Sequence, residues 1–421
     1  MAASVLQRCL SSVNVVLKCG TQSYLARRCL LSAAYTDNKL WDQRHSDPQN
    51  LAKLANLMER SYERKFPVSS LAIARFVDNV SSREEVDQAE YYLYRFRHSP
   101  NCWYLRPWTI HSWIRQCLKY EALDKALHTI QNKVQYGVFP DDYTFNLIID
   151  AFLKNEDYQS ACSVVEEVML QEAFNSPTTQ ILSLFALTKH LALKPGLSLE
   201  EQRNLGASLY LAGLQQENSL GASAQCLGCA LIGKMEMTQG MHSVFRQMPL
   251  MWTRGYLARA LAVMETVSTG TGNVKISKDV LDRVEAVLED LSATALPEAC
   301  EGEEQRSDSS SDEEAPKITL DEEDEQERAK LPEYTATFKA LRAQLQASGK
   351  EDPTSLEALA VSAAQGQLQA AEQPDIEQHR LTVSDWEAER RQLIQREKES
   401  REKMEQIAQE RRATATATAT A

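Results

Sequence analysis

Two segments of this chain align with each other at an offset of 35 residues, and this repeat constrains the fold more than any other feature. The segments are "WTIHSWIRQCLKYEALDKA", which begins at Trp108, and "YTFNLIIDAFLKNEDYQSA", which begins at Tyr143. Each has the spacing of apolar residues that is typical of a helix, followed by a short polar turn and a second helix. A helical hairpin that recurs at a fixed period predicts a stacked array, in which each unit buries its apolar face against its neighbours.

Equivalent positions of the two segments indicate how each hairpin would pack. Ala126 aligns with Ala161, and this small residue lies where the second helix must approach the first closely. The stretch "YGVFPDD" separates the two units. Pro140 ends the preceding helix because proline cannot continue its hydrogen bonding, and Asp141 turns the chain. We therefore predict an all-α fold of helical hairpins stacked into a superhelix, without a sheet.

The charge of the chain is unevenly distributed. The net charge is −13 over 421 residues, which argues against a simple nucleic-acid binder. However, residues 301–328 contain 13 Asp or Glu and 3 Lys or Arg, whereas residues 38–140 carry a net charge of +4. The acidic run is too polar and too uniformly charged to form a core, so we predict a disordered acidic linker over residues 299–328. Its serines Ser309, Ser310 and Ser311 precede acidic residues, and we predict that they are phosphorylated without any refolding.

The N-terminal 36 residues have a different composition. They contain no acidic residue, and the basic residues Arg8, Lys18, Arg27 and Arg28 are spread among serines and small apolar residues. This composition is typical of a mitochondrial presequence, which is removed after import. A secretory signal would need one unbroken apolar segment, which the basic residues interrupt. No apolar run approaches the roughly 18 residues that a membrane-spanning helix requires, so we expect no membrane span.

The remaining segments follow from their patterning. Residues 38–291 are expected to form the helical-repeat domain, and residues 329–412 to form C-terminal helices. Within the latter, residues 384–412 carry eight acidic and eight basic residues. A seven-residue apolar seam for a coiled coil is weak there, which favours a single exposed helix that docks a partner. Residues 413–421 form a low-complexity tail.

No catalytic motif occurs in this sequence. It has no phosphate-binding glycine loop, no nucleophile elbow and no HExxH pair, so we expect a protein that is not an enzyme and needs no cofactor. Cys226 and Cys229 form a single CxxC pair without a second pair of zinc ligands. Small apolar residues surround both thiols, which favours two core cysteines one helical turn apart, and no metal site is expected.

The repeat resembles a known family. "TFNLIIDAFLK", the Ala of the second helix and the closing "YGVFPD" resemble the pentatricopeptide repeat, or PPR, with units at 107–141 and 142–177. The segment "FPVSSLAIARFVDNVSSREEVDQAEYYLYRFRHSPNCWYLRPWTIHSWIRQCLKY" is similar to a PPR-containing family of mitochondrial small-subunit ribosomal proteins. The resemblance implies a non-catalytic component of the mitochondrial ribosome in the matrix. Its partners would be small-subunit rRNA and other small-subunit proteins, and it would support translation.

A second function stays open at this point. The protein could instead be a free PPR-type translation activator or RNA-stability factor, with mRNA or tRNA as its partner. The small number of clear repeats and the long charged C-terminal helix favour the ribosomal function.

The PPR resemblance implies candidate base-contacting residues. In that family the fifth and the last residue of a repeat contact one base. These are His111 and Asp141 in the first unit and Asn146 in the second, whose last residue is Ser176 or Thr178.

An independent pattern predicts phosphate contacts. The segment "YYLYRFRHSPNCWYLRPWTIHSWIR" interleaves aromatic residues with Arg95, Arg97 and Arg106. Arginines contact phosphates, and aromatic rings stack on exposed bases. Since aromatic residues at helical spacing usually fill a core, we interpret Tyr91, Tyr94 and Trp113 as packing residues.

Overall fold

The computed structural model describes residues 30–45, 47–194, 196–246, 248, 253–293 and 320–420. Regular structure in these ranges is almost entirely helical, which confirms the predicted all-α class. The chain divides into an N-terminal unit, made of Leu31–Ile148 and Glu372–Ala421, and a central unit, Ile149–Ala371. Most of the expected presequence, most of the acidic linker and the serines Ser309, Ser310 and Ser311 lie outside the described residues.

The N-terminal unit contains a succession of short and medium helices. They are α1 Ala33–Thr36, α2 Lys39–Asp42, α3 Leu51–Glu63, α4 Ser70–Asp78, α5 Arg83–Arg97, α6 Pro107–Lys119, α7 Leu123–Gln131 and α8 Lys133–Tyr136. A 3-10 turn at Cys102–Tyr104 separates α5 from α6. Side chains of Asn50, Ser69 and Ser82 accept hydrogen bonds from the first turns of α3, α4 and α5, and so satisfy backbone N–H groups that have no partner within the helix.

Helix α9, Asp142–Lys154, begins in the N-terminal unit and ends in the central unit. The further helices of the central unit are α10 Tyr158–Leu170, α11 Pro177–Leu193, α12 Leu199–Leu214, α13 Ser219–Gln239, α14 Met241–Phe245, α15 Tyr256–Thr269, α16 Lys278–Ala293, α17 Glu322–Ala329, α18 Leu331–Ala347 and α19 Leu356–Gly366. One feature departs from the expected absence of a sheet: strand β1, Ile276–Ser277, pairs in parallel with β2, Glu351–Asp352.

The helices follow the period seen in the sequence. α6 and α9 have 13 residues each and begin 35 residues apart, and α7 and α10 also begin 35 residues apart. Ala126 and Ala161 are fully buried, as the close approach of two helices requires. The turns repeat as well, because Glu121 and Glu156 both adopt positive φ, at 53° and 60°.

A tryptophan-rich core holds the N-terminal unit together. Trp41, Ala74, Trp108 and Val383 form a buried cluster, and Trp386 packs against it. Val383 and Trp386 belong to α20, Leu368–Thr420, which starts earlier and ends later than the helix expected over residues 384–412. Val383 and Trp386 of this helix therefore pack in the core of the N-terminal unit, while residues 398–413 are exposed.

The end of the expected disordered linker is ordered. Asp321 caps α17, and Met241 donates its backbone N–H to Asp324 over 3.0 Å. The guanidinium of Arg254 forms ion pairs with Asp321, Glu323 and Asp324. The prediction of disorder is thus wrong for residues 322–328, because a distant arginine in the same unit compensates the charges that local composition left unpaired.

Candidate nucleic-acid interface

One side of α5 carries aromatic and basic side chains toward solvent. Tyr94 and Arg95 lie three and four residues after Tyr91, so both share a helical side with it. Tyr91 is 47% exposed and Tyr94 is 40% exposed, whereas Tyr92, Leu93 and Phe96 are buried. The interpretation of Tyr91 and Tyr94 as core residues is therefore wrong. It is confirmed for Trp113, which is fully buried.

The guanidinium of Arg95 contacts three residues of the N-terminal unit. Its Nη1 donates to the hydroxyl oxygen of Tyr91 over 2.6 Å, and its guanidinium lies 4.8 Å from the ring centroid of Tyr62. An ion pair joins Arg95 to Glu59 at 3.7 Å. These contacts hold the side chain in place, but they also partly neutralise its charge.

Arg97 is held differently. Its Nε donates to the backbone oxygen of Val134 over 2.8 Å, and its guanidinium lies 5.7 Å from the ring centroid of Trp103. Gly137, at φ 71°, makes room for this side chain, because a Cβ at that position would lie 3.1 Å from Cδ of Arg97. Trp103 is 82% exposed, which is unusual for the largest apolar side chain.

Arg106 is tied to the C-terminal helix of the same unit. It forms an ion pair with Glu389 of α20 at 2.9 Å, and its guanidinium lies 5.8 Å from the ring centroid of Trp108. The structure thus gives each of the three predicted arginines a different environment.

His111 lies in the core of the N-terminal unit, where its side chain is 1% exposed. Its Nδ1 is 2.8 Å from the hydroxyl of Thr144, and Arg115 donates to its Nε2 over 2.7 Å. Burial and the nearby charge of Arg115 hold the pKa of His111 well below its usual value. A neutral imidazole whose two nitrogens already have partners is not presented to an RNA base in this arrangement.

Asn146 is also buried, and residues of its own chain occupy the space before its amide. Its Nδ2 donates to the phenol oxygen of Tyr35 over 2.9 Å. The ring of Tyr35 stacks on Tyr143 with centroids 4.3 Å apart, and Tyr143 stacks on His379 at 3.7 Å. We call Tyr35, Tyr143 and His379 the aromatic stack. The amide expected to contact a base therefore contacts a tyrosine.

This position of Tyr35 bears on the expected presequence. Leu31 and Tyr35 are buried in the N-terminal unit, although both fall within the segment 1–36 that composition assigned to the presequence. The absence of acidic residues in that segment is typical of presequences. It carries no information about where the folded part of the chain begins.

Asp141 and Ser176 accept hydrogen bonds at the N-termini of two helices. Oδ1 of Asp141 accepts the backbone N–H of Thr144 over 2.9 Å in the first turn of α9. Ser176 caps α11 in the same manner, through the N–H of Thr178. Both residues therefore stabilise helix N-termini, and Asp141 is exposed.

The cysteine pair lies inside α13. Cys226 and Cys229 are fully buried, which confirms the interpretation as core residues. Burial raises the pKa of Cys226 to about 12 and also raises that of Cys229, so neither thiol is reactive. Across the described ranges, no group of three or more His, Cys, Asp or Glu side chains is arranged to hold a metal ion. No helix in these ranges combines the length and apolarity needed to cross a membrane.

Two residues of the site escaped prediction from the sequence. Trp103 lies in a 3-10 turn, where helical periodicity gives no indication of the direction of its side chain. The signal that was present is the turn sequence "HSPNCWY", since a turn exposes large residues more often than a helix interior does. Tyr35 was not predicted as a core residue because it lies in the segment assigned to the presequence.

Comparison with known families adds to this geometry. A family model described as Mitochondrial 28S ribosomal protein S27 matches residues 1–416. A protein of that family is a structural, non-enzymatic component of the small subunit of the mitochondrial ribosome, located in the mitochondrial matrix. Because the match extends over almost the entire sequence, this chain belongs to the mitochondrial 28S ribosomal protein S27 family.

Proposed function

We propose that this protein binds small-subunit rRNA without catalysis, and that it supports mitochondrial translation as a bound component of the small subunit. The RNA-contacting surface that we propose is the outer side of α5 and the turn that follows it, with Tyr91, Tyr94, Arg95, Arg97 and Trp103. The single observation that carries the proposal is the exposure of three large aromatic residues beside two arginines on one unit. Aromatic and guanidinium planes stack on unpaired bases, and guanidinium groups contact phosphates.

The mode of binding that fits best is recognition of shape and phosphates. His111 and Asn146 are buried, and the amide of Asn146 donates a hydrogen bond to Tyr35 of the aromatic stack. Arg95 and Arg97 are partly exposed, which suits phosphate contact. Phosphate contacts position a protein on folded RNA without reading its sequence. Arg106, paired with Glu389, is a weaker candidate because an RNA phosphate would have to displace a carboxylate.

We propose that residues 107–141 and 142–177 are PPR units. The equal lengths of α6 and α9 support this, together with the shared offset of the second helices α7 and α10. In this proposal the hairpins support the exposed side of α5, since His111 and Asn146 are buried and have partners within the chain.

We propose that the exposed end of α20 contacts neighbouring small-subunit proteins. Residues 398–413 are exposed, and among them Met404 is 63% exposed and Ile407 is 42% exposed. A helix with apolar residues among balanced charges is suited to docking in a protein groove. The import function of the N-terminal segment and the phosphorylation of Ser309, Ser310 and Ser311 remain proposals based on the sequence.

The RNA proposal is tested with an arginine variant and a matched control. The full chain carrying R95Q, R97Q and R106Q is compared with one carrying R83Q, R283Q and R380Q, which loses the same charge at other sites. Binding to small-subunit rRNA is titrated with salt. Loss of the phosphate contacts of Arg95 and Arg97 should lower the slope of log affinity against log salt by about 1.4 to 1.8, and by about 2 to 3 if Arg106 also contacts a phosphate, while the control keeps the parent slope. Equal slopes for both variants, with equal melting temperatures, would contradict the proposed surface.

Sedimentation of the native protein separates the two functions left open by the sequence. A small-subunit component comigrates with the small subunit, even after brief exposure to moderate salt. A free translation activator or RNA-stability factor would sediment as a light species.

A further inference from the structure

We propose that Trp103 and Arg97 form a clamp for one unpaired nucleotide of RNA, in which the indole of Trp103 stacks on the base and the guanidinium of Arg97 binds the adjacent phosphate. This inference rests on the proposed function and gives it a specific site. Its basis is the ion pairing, the exposure and the separation of the two side chains.

The guanidinium of Arg97 is available to bind a phosphate. Within the described ranges, Arg95 is paired with Glu59 and Arg106 with Glu389, whereas Arg97 makes no ion pair. In the described ranges it donates a hydrogen bond from Nε to the oxygen of Val134. The two Nη groups carry the four N–H donors that a phosphate can accept in a bidentate arrangement. Of the three arginines predicted from the sequence, Arg97 is therefore the one whose guanidinium is held in place without being neutralised.

Trp103 is exposed, and hydrogen bonds hold the backbone of the turn that carries it. The turn that carries it is closed by the N–H of Cys102 to the oxygen of Ser99 over 3.1 Å and by the N–H of Tyr104 to the oxygen of Asn101 over 2.9 Å. Nδ2 of Asn101 also donates to the oxygen of Val68 over 2.9 Å, which fastens the turn to the preceding segment. A rigid turn that presents an indole with 82% exposure loses little conformational entropy when a ligand stacks on it.

The two side chains lie close together. The guanidinium of Arg97 lies 5.7 Å from the centroid of the Trp103 ring. That distance is within the range of a cation–π contact, so the two side chains are near enough to contact neighbouring parts of one ligand. A stacked base and a bound phosphate of one nucleotide can therefore be accommodated together.

The charge of this region favours an anionic occupant such as RNA over a basic or neutral protein surface. Residues 38–140 have a net charge of +4, and Arg64 and Lys65 are exposed close in sequence to Val68, where the turn is fastened. A nucleobase has two flat faces for an indole, while the duplex form of RNA hides those faces in its own stack. The proposed ligand is accordingly an unpaired nucleotide in a loop, bulge or single-stranded end.

The test uses the full chain and two labelled probes, a 12-nucleotide oligouridine and a 12-base-pair RNA duplex. W103L keeps the apolar bulk and removes the aromatic face, whereas W103F keeps an aromatic face. R97Q removes the phosphate contact, and R83Q on the same helix is the charge-matched control. We expect W103L to weaken oligouridine binding by roughly five- to one-hundred-fold, W103F to retain most of the affinity, and duplex binding to be unchanged. R97Q should lower the salt slope for oligouridine by about 0.7, and R83Q should leave it at the parent value.

The outcomes are distinct. Oligouridine binding by W103L that equals the parent, with small-subunit rRNA still bound, overturns the clamp and leaves the proposed function standing. A parent chain that binds neither probe nor small-subunit rRNA at low salt overturns the proposed function itself, and the clamp with it. If W103L binds RNA normally but no longer comigrates with the small subunit, Trp103 contacts a protein neighbour and the clamp is also overturned. Because both side chains lie at the surface, we expect all variants to fold. Thermal melts check this.

Discussion

Asn146 donates a hydrogen bond from Nδ2 to the phenol oxygen of Tyr35 over 2.9 Å, and within the described part of the chain its Oδ1 accepts no hydrogen bond. The tyrosine thus satisfies half of an amide that could pair with both a donor and an acceptor. In the PPR-type arrangement expected from the sequence, this amide would face a base. In this structure Tyr35 of the same chain contacts the amide instead. The contribution of this hydrogen bond to the free energy of unfolding can be measured.

Removing the hydroxyl group of Tyr35 should destabilise the N-terminal unit. In Y35F the buried Nδ2 of Asn146 loses its acceptor, which should lower the free energy of unfolding by about 1–3 kcal/mol. Y35A also leaves a cavity beside Tyr143 and should cost about 3–5 kcal/mol. Urea unfolding of the full chain measures both, with Y104F as the control at an exposed tyrosine. Unchanged stability of Y35A would mean that Tyr35 does not occupy this position in solution.

Shortening the N-terminus should reveal the same contact. A chain without residues 1–36 lacks Leu31 and Tyr35, both buried, whereas a chain without residues 1–29 retains them. We expect the first to melt at a clearly lower temperature than the second. Equal melting temperatures would indicate that the boundary of the folded part lies after Thr36, as the composition of the sequence suggested.

The N-terminal unit should lose stability in acid through His379. Burial, followed by the charge of Arg115, lowers the pKa of His379 to about 3. Its value in an unfolded chain is about 6.5, so the unfolded state takes up a proton first as the pH falls. The stability contributed by the neutral imidazole is therefore complete above about pH 6.5 and is lost progressively toward pH 3, by up to about 1.4 kcal/mol per pH unit.

H379F keeps the ring that stacks on Tyr143 and cannot take up a proton. Its stability should fall less steeply than that of the parent between pH 6.5 and pH 4, as followed by urea midpoints at each pH. H45F, which alters an exposed histidine of the same unit, serves as the control. Parallel pH profiles for H379F and the parent would contradict a buried neutral His379.

The sequence was informative about helices and much less so about which side chains are exposed. The 35-residue period correctly located α6, α7, α9 and α10, because apolar spacing and the Pro140 turn are local signals. The environment of Asn146 depends on Tyr35, and that of His111 depends on Trp41 and His379, all of which lie about 70 or more residues away in the chain. No local pattern contains that information. The same reason explains the ordered residues 322–328, whose charges are compensated by Arg254.

The three arginines Arg95, Arg97 and Arg106 also show what sequence spacing could not predict. Sequence spacing gave Arg95, Arg97 and Arg106 equal weight, since each lies among aromatic residues. Their difference arises from the carboxylates that the fold brings near, Glu59 to Arg95 and Glu389 to Arg106. Glu389 is distant in sequence and belongs to a segment that was expected to be a separate exposed helix. The availability of Arg97 could therefore be recognised only from the structure.

An added methyl group at Gly228 should disrupt the contact between α12 and α13. A Cβ at this position would lie 2.5 Å from the backbone oxygen of Gly206 and 2.7 Å from the backbone nitrogen of Tyr210. Backbone atoms cannot move aside as a flexible side chain can, so G228A should be destabilised by about 1–3 kcal/mol, although alanine favours the helix. G272A is the control, because no atom lies within 4 Å of its added Cβ. Equal melting temperatures for the two variants would contradict this close helix packing.

Glu166 should make the central unit less stable as the pH rises. Its pKa is raised to about 7, chiefly by burial and then by the charge of Glu167, while a hydrogen bond with Asn204 opposes the shift. In an unfolded chain a glutamate has a pKa near 4.3, so at intermediate pH the folded state retains a proton that the unfolded state has lost. The contribution of the protonated side chain is complete below about pH 4.3 and is lost as the pH rises through 7, by up to about 1.4 kcal/mol per pH unit.

The E166Q variant isolates this effect because glutamine resembles the protonated acid and does not ionise. We expect E166Q and the parent to unfold at similar urea concentrations near pH 5, and E166Q to be the more stable above pH 7.5. E265Q, at an exposed glutamate on α15, provides the control and should follow the parent at every pH. The measurement is the urea midpoint of the full chain from pH 5 to pH 8.5, detected by a probe in the central unit. If the difference between E166Q and the parent is constant over this range, Glu166 is ionised in the folded protein throughout, and its carboxylate must have a partner that compensates the burial.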